Sequence, residues 1–299
     1  MLAALRGTAV ALAVMLVACG TALAAAQTLF PDPDHAVDAL VAAARANDVA
    51  KMKLILGPGS GALVNSGDAV ADRDGRARFV AAYEARHRID VAGGKATLII
   101  GENDFPMAIP IVGSNGTWRF DARAGREEVL DRRIGQNELN AIEVCRAYVE
   151  AQRDYASEER SHDGFLEYAQ HFVSRPGKHD GLYWTAAAGA PESPLGPLMA
   201  KARAAGYGGK GTPYHGYFYK ILTAQGPHAP GGARDYIVKG HMIGGFALIA
   251  FPAKYGDSGV MTFIVDRTGA VRQKNLGRDT AAIARAMKRY DPDESWTAP

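Results

Sequence analysis

Four aromatic residues within positions 214–219, namely Tyr214, Tyr217, Phe218 and Tyr219, are the densest group of recognition-type side chains in the sequence. On a strand, alternate side chains point to opposite faces, so Tyr217 and Tyr219 share one face and Phe218 takes the other. With His215, Lys220 and Arg234 they would line a groove for a sugar, a peptide or a wall fragment, because a tyrosine combines a flat apolar ring with a polar tip. The competing reading is burial of the same rings in a core. Neither reading names a catalyst. Acids also flank aromatics at Glu102 and Asp104 beside Phe105, at Asp163 and Glu167 beside Phe165 and Tyr168, and at Asp235 beside Tyr236. Acid/base work on a glycan needs two carboxylates held across a cleft, whereas loop acids are usually solvated.

Other chemistries lack their spacing. The eight histidines include no HExxH, and the nearest grouping is His162 and His171 around Asp163 and Glu167, so no metal is assigned. Gly-x-Ser-x-Gly is absent, and Ser60 in the Gly57-Pro-Gly-Ser-Gly61 run reads as a turn residue. The glycines of 206–211 lack phosphate-loop spacing and precede a strand, so no cofactor is called for. Cys145 falls on the apolar face of a helix, as a packing residue rather than a nucleophile.

The first residues read as an address. One positive charge at Arg6, an apolar run over 9–18 and small residues beyond make residues 1–26 a secretory signal, the run being too short to span a bilayer comfortably. Two cleavage readings stand: a lipobox, Leu16-Val17-Ala18-Cys19, with Cys19 lipidated, or ordinary processing after Ala24 or Ala26. The expected location is the periplasm or outer envelope, with membrane attachment only through a lipid on Cys19. Formal charge is +2, from 34 basic and 32 acidic residues, with no basic block, so nucleic acid is not an expected partner.

Several elements must position these groups. Asp32 or Asp34 caps a helix with Val37, Leu40, Val41 and Ala44 on one face, and Asn47-Asp48 breaks it from a second helix ending at Gly57-Pro58. Residues 59–72 read as loop, and 75–89 as a further helix. The period then changes to strands at 95–101, 106–113 and 117–122, the last two joined through Asn115-Gly116. A long helix over 126–156 buries a stripe of Ile142, Cys145, Tyr148, Val149, Gln152 and Tyr155, and Gly135 is expected to kink or divide it. A short helix is expected in 161–184 and another at 198–205. Strands follow near 214–226, 243–255 and 259–277, with a turn at 266–269, and a helix at 279–290 closes the chain. The fold class is α+β: N-terminal helices packed on a curved antiparallel sheet over 28–135, a long connecting helix, and a C-terminal helix plus antiparallel sheet over 136–299.

The order of elements in 29–124 resembles the cone-shaped fold of nuclear transport factor 2, and the helix AIEVCRAYVEAQRDYA with the region after it resembles the soluble part of type IV pilins, hence a pilin-like second unit. A resemblance over nearly the whole mature chain is more specific. The blocks GTWRFDARAGREEVLDRRIGQNELNAI, AYVEAQRDYA, YHGYFYKILTAQGPHAPGG and MIGGFALIAFPAKYGDSGVMTFIVDRTGAV look like those of domain of unknown function 2950, an exported bacterial family with no established catalytic residues. The resemblance supports the architecture and leaves the activity open; the export signal and the aromatic group lead to the expectation of an envelope protein that binds or scaffolds, with a glycan, peptide or protein partner. A periplasmic glycan or wall hydrolase, and an accessory part of a secretion or pilus-type assembly, are the alternatives.

Overall fold

The computed structural model describes residues 26–160, 164–187, 189–208 and 211–299. All but the last residue of the 1–26 segment read as a signal, Cys19 included, and His162 and Asp163 lie outside the described residues.

Helices α1 (Pro33–Arg45), α2 (Val49–Leu56), α3 (Gly61–Val64) and α4 (Ala69–Ala85) open the fold. Aspartates start three of them: Asp32 accepts from the His35 N–H at 2.8 Å, Asp48 from Lys51 at 2.9 Å, and Asp68 from Val70 and Ala71 at 3.2 and 3.0 Å. Each cap satisfies donors that the first turn leaves unpaired. The segment read as loop therefore holds α3 and the cap of α4. The apolar stripe of α1 buries Ala36, Val37, Leu40, Val41 and Ala44.

Five strands follow: β1 (His87–Ala92), β2 (Lys95–Ile100), β3 (Phe105–Pro106), β4 (Ile111–Ser114) and β5 (Thr117–Phe120). They pair antiparallel in the order β1-β2-β4-β5, with β3 also on β2. Asn115 and Gly116 both take positive φ, 53° and 76°, as a two-residue hairpin requires. The sheet is open, with β1 and β5 at its edges, and does not curl around a pocket as expected. Side chains of α1 and α2 pack across β5, and α4 packs across β2, so helices cover the space that curvature would have enclosed.

Helix α5 (Ala122–Tyr155) runs for 34 residues, about 50 Å at 1.5 Å per residue, without interruption at Gly135. Open space surrounds Gly135, whereas a Cβ on Gly125 would lie 2.4 Å from the Ala108 carbonyl oxygen. The glycine that matters is thus the one where α5 crosses the strand connection. The second half of the helix buries Ala141, Cys145, Tyr148, Val149, Gln152 and Tyr155. Fully buried Gln152 reads the backbone of Ala169 twice, donating to its carbonyl and accepting from its N–H, each at 2.8 Å.

After α5 come β6 (His171–Val173), β7 (Gly181–Tyr183) and α6 (Gly196–Ala204). Residues 165–170 form no helix and no strand, because Tyr168 N–H bonds the Met242 carbonyl and Ala169 is held by Gln152. Then follow β8 (Tyr217–Leu222), β9 (Ala224–Gln225), β10 (Arg234–Asp235), β11 (Ile237–Val238), β12 (His241–Met242), β13 (Ala247–Pro252), β14 (Thr262–Asp266), β15 (Arg272–Lys274), α7 (Thr280–Ala286) and β16 (Arg289–Tyr290). The central sheet has the order β15-β14-β13-β8, antiparallel throughout. Every residue of β13 and β14 is buried, and both α5 and α7 pack on the sheet, which explains the near-continuous apolar run of β13. The last helix is shorter than its periodicity predicts: it ends at Ala286, and β16 joins β9 in parallel.

Two apolar clusters result, one drawn from residues 30–122 and one from 141–296. A polar seam joins them. Asp68, 1% exposed, accepts from Tyr207 Oη at 3.0 Å and Gly216 N–H at 2.9 Å, and Asn137 donates to the Ser258 carbonyl at 2.9 Å. Glu138 accepts from the N–H groups of Val260 and Met261, both at 2.9 Å.

Candidate functional site

The aromatic group at 214–219 is dispersed by its own strand. Tyr217 is fully buried and donates its hydroxyl to the Met261 carbonyl at 2.9 Å; the half-buried Tyr219 donates to the Tyr214 carbonyl at 3.3 Å. Lys220 leaves that group altogether. Its Nζ donates to the carbonyls of Ala284 and Arg285 at 2.8 and 2.7 Å and to that of Met287, closing the C-terminus of α7. Arg234 donates to Gln225 Oε1 at 3.2 Å on β10, and His215 sits at φ 50° with its ring 4.2 Å from Tyr214 and 5.7 Å from Tyr207. Burial lowers the His215 pKa. Among the described residues, the partners of Tyr217 and Lys220 draw the five side chains apart rather than into one groove.

Of the acids beside aromatics, Asp104 pairs with Arg88 at the surface and Asp235 is exposed on β10. Glu167 behaves differently. It faces a cleft of about 570 Å³ formed where the end of α5, the segment before β6, the β6–β7 loop and the β11–β12 turn meet. Strands β6 and β7 pair in parallel, His171 with Gly181 and Val173 with Tyr183, which forces the connection over 174–180 out as a loop. The pairing needs a glycine at 181, where a Cβ would lie 2.7 Å from Ser174 N.

Within the cleft, Glu167 Oε2 accepts from Met242 N–H at 3.3 Å and lies 3.3 Å from His241 Nδ1, their side chains 13% and 24% exposed. Phe165 stacks on the His241 ring at 4.5 Å. Across the cleft, Tyr155 donates its hydroxyl to the His179 carbonyl at 2.7 Å, and burial pushes that hydroxyl up to about 12. Arg160 lies over the rings of Tyr155 and Trp184, at 5.4 and 5.3 Å, with its Nε bonded to the Tyr155 carbonyl at 3.1 Å. Asp180 accepts from Arg175, through the backbone N–H at 2.9 Å and through Nε. Burial pulls the Asp180 carboxyl upward, but the Arg175 hydrogen bonds outweigh it and hold the pKa below its ordinary value. Lys178, exposed at the rim, forms no ion pair among the described residues. The arrangement offers cations, imidazoles and hydrogen-bonding carboxylates beside aromatic rings.

Glu167 was visible in the sequence only as an acid next to aromatics. Arg160, Lys178, His179 and His241 stood out by no spacing, since the cleft assembles from three separate stretches; the nearest signal was the charge-dense, Pro/Gly-containing run RPGKHDG. Among the described residues no three His, Cys, Asp or Glu side chains converge as metal ligands, and no helix is long and apolar enough to cross a membrane.

No curated protein and no solved structure matches the chain, so neither of the two fold-level resemblances gains a structural counterpart. A family model does match, over residues 27–298, and the chain belongs to the family it describes, Protein of unknown function (DUF2950).

Proposed function

We propose that this is an exported protein of the bacterial cell envelope that binds an acidic glycan, such as a wall fragment carrying carboxylates, in the cleft between Tyr155 and His241. The N-terminal segment, with Arg6 and its apolar run, supports export, with a lipid on Cys19 as the alternative to simple release. One observation carries the ligand class: Lys178 forms no ion pair among the described residues and stands at the rim of a cleft also lined by Arg160, Tyr168 and Gln170, so an anionic group would find a cation and sugar hydroxyls would find polar partners. The hydrolase alternative gains from Glu167 and Asp180 lining one cleft. With Asp180 held ionised by Arg175, Glu167 would have to be the general acid, and its carboxylate is already engaged by the Met242 N–H and by His241. The assembly alternative asks for an exposed apolar strip on α5, and the apolar strip of its second half lies against β13 and β14.

Calorimetry with the disaccharide of N-acetylglucosamine and N-acetylmuramic acid, compared with neutral di-N-acetylchitobiose, tests the reading. The carboxylated sugar should bind more tightly, and Lys178→Gln should weaken it by about fivefold or more while leaving the neutral sugar unchanged. Equal affinity for both sugars, or no binding of either, would reject the assignment.

A further inference from the structure

A second cavity, about 450 Å³, lies in the N-terminal unit between α3, α4 and the first half of α5, remote in residues from the cleft described above. Its floor is apolar: Leu40, Met52, Leu56, Val64 and Ile109, all buried. Arg76, Arg78 and Arg133 also line it, beside Arg132, which is paired with Glu128. Arg133 donates to the carbonyls of Ala62 and Leu63, each at 2.6 Å, and Arg76 to Asn47 Oδ1 at 2.6 Å and the Val64 carbonyl at 3.2 Å. None of the three forms an ion pair among the described residues. Asp72, the carboxylate in the lining, instead accepts from Ser66 N–H at 2.9 Å.

Neutral partners fix the guanidinium groups of Arg133 and Arg76 without cancelling their charge. A cation withdrawn from water and left without an anion is unfavourable, and burial lowers the Arg133 pKa accordingly, partly opposed by the charges of Asp72 and Asp257. A ligand anion at this point would form charge-assisted, fork-shaped hydrogen bonds. An alkyl chain attached to that anion would take up the apolar floor, displacing water from surface that attracts it weakly. We infer that the cavity binds a single-chain amphiphile with a carboxylate head, a fatty acid, with its chain on the Leu40–Met52–Ile109 floor and its head at Arg133 and Arg76.

The test uses the full chain and three C12 probes, dodecanoate, dodecanol and dodecyltrimethylammonium, kept below micelle-forming concentration and followed by calorimetry. Dodecanoate should bind saturably at one site, dodecanol about tenfold or more weakly, and the cation weakest of the three. Val129→Trp, which projects bulk into the cavity, should abolish binding of dodecanoate and dodecanol together. Arg133→Gln should weaken dodecanoate by about tenfold while dodecanol is unaffected. Thermal unfolding of each variant separates lost binding from lost fold, and the wild-type comparison of carboxylate with alcohol stands even if Arg133→Gln does not fold. Absence of saturable dodecanoate binding, equal affinity for alcohol and carboxylate, or unchanged binding in a folded Val129→Trp protein would overturn the assignment. None of these results bears on the glycan cleft, which shares no residue with this cavity.

Discussion

At the level of single residues, burial decides what Cys145 and His215 do. The Cys145 thiol, 0% exposed on the core face of α5, is pushed up to about 12 by burial. Since only a thiolate attacks, the native protein at about pH 8 should leave Cys145 unalkylated by iodoacetamide, and modification should begin only as the chain unfolds. Peptide mass mapping at increasing urea reads this directly; labelling of Cys145 in the native state would contradict the buried assignment. The same preference for the neutral form moves His215 the other way, and burial lowers its pKa. A lowered folded pKa means that its contribution to stability is present above the ordinary imidazole value of 6.5 and is lost as pH falls through it toward the folded value. His35, raised by its bond to Asp32, acts in the other direction, so the informative quantity is a difference between proteins. His215→Asn keeps a residue that tolerates φ near 50° and removes the titrating ring. Its melting temperature should fall less than that of wild type between about pH 7 and about pH 5. Parallel slopes would remove His215 from the pH response.

At the level of elements, close approach and capping govern what tolerates change. Gly125 lies where α5 crosses the connection after β3, and a Cβ there would meet Ala108 O at 2.4 Å and Ile109 Cα at 2.7 Å, both backbone. Gly125→Ala should therefore cost about 2 kcal/mol or more in urea denaturation despite the better helix propensity of alanine. Gly135→Ala, with nothing near its Cβ, should be neutral or stabilise by up to about 1 kcal/mol. A reversal of that order would mean that α5 is broken at Gly135 after all. The pair also marks what was readable in advance. Local signals were legible: the cap of α1, placed at Asp32 or Asp34, the break at Asn47-Asp48, the Asn115-Gly116 turn, the stripe from Cys145 to Tyr155, and the buried run of β13. Each rests on contacts within a few residues or on burial of an entire strand. Features set by distant partners were not legible. Edge strand β1 is exposed along nearly its whole length and shows no alternation, the Asp68 that starts α4 is buried by partners in the C-terminal unit, and residues 165–170 are held out of a helix by Gln152 and Met242. The cleft shares that origin, since Glu167, Asp180 and His241 meet only through the pairing of β6 with β7 and the turn before β12.

At the level of the whole molecule, Asp68 ties local order to the join between the two apolar clusters. One carboxylate oxygen caps α4 through Val70 and Ala71, while the other accepts from Tyr207 Oη and Gly216 N–H in the C-terminal unit. Substitution by asparagine separates the two jobs. The amide oxygen still caps the helix, an exchange that by itself changes helix stability little. The amide nitrogen then occupies the place of the second oxygen; it can donate to the Tyr207 hydroxyl, which also accepts, but it leaves the buried Gly216 N–H facing a donor. With that group unsatisfied and the charge-assisted bonds lost, Asp68→Asn should lose roughly 2–4 kcal/mol. Tyr207→Phe removes one donor and leaves the carboxylate its Gly216 bond, and should lose only about 1–2 kcal/mol. Because the two positions share one interaction, their losses should fall short of additivity in the double variant. Urea denaturation of the two single variants and the double variant measures all three. If Asp68→Asn costs no more than Tyr207→Phe, then the cap and not the seam is the main role of this carboxylate. If the unfolding transition also splits in two, the bonds from Asp68 are what make the two clusters unfold as one.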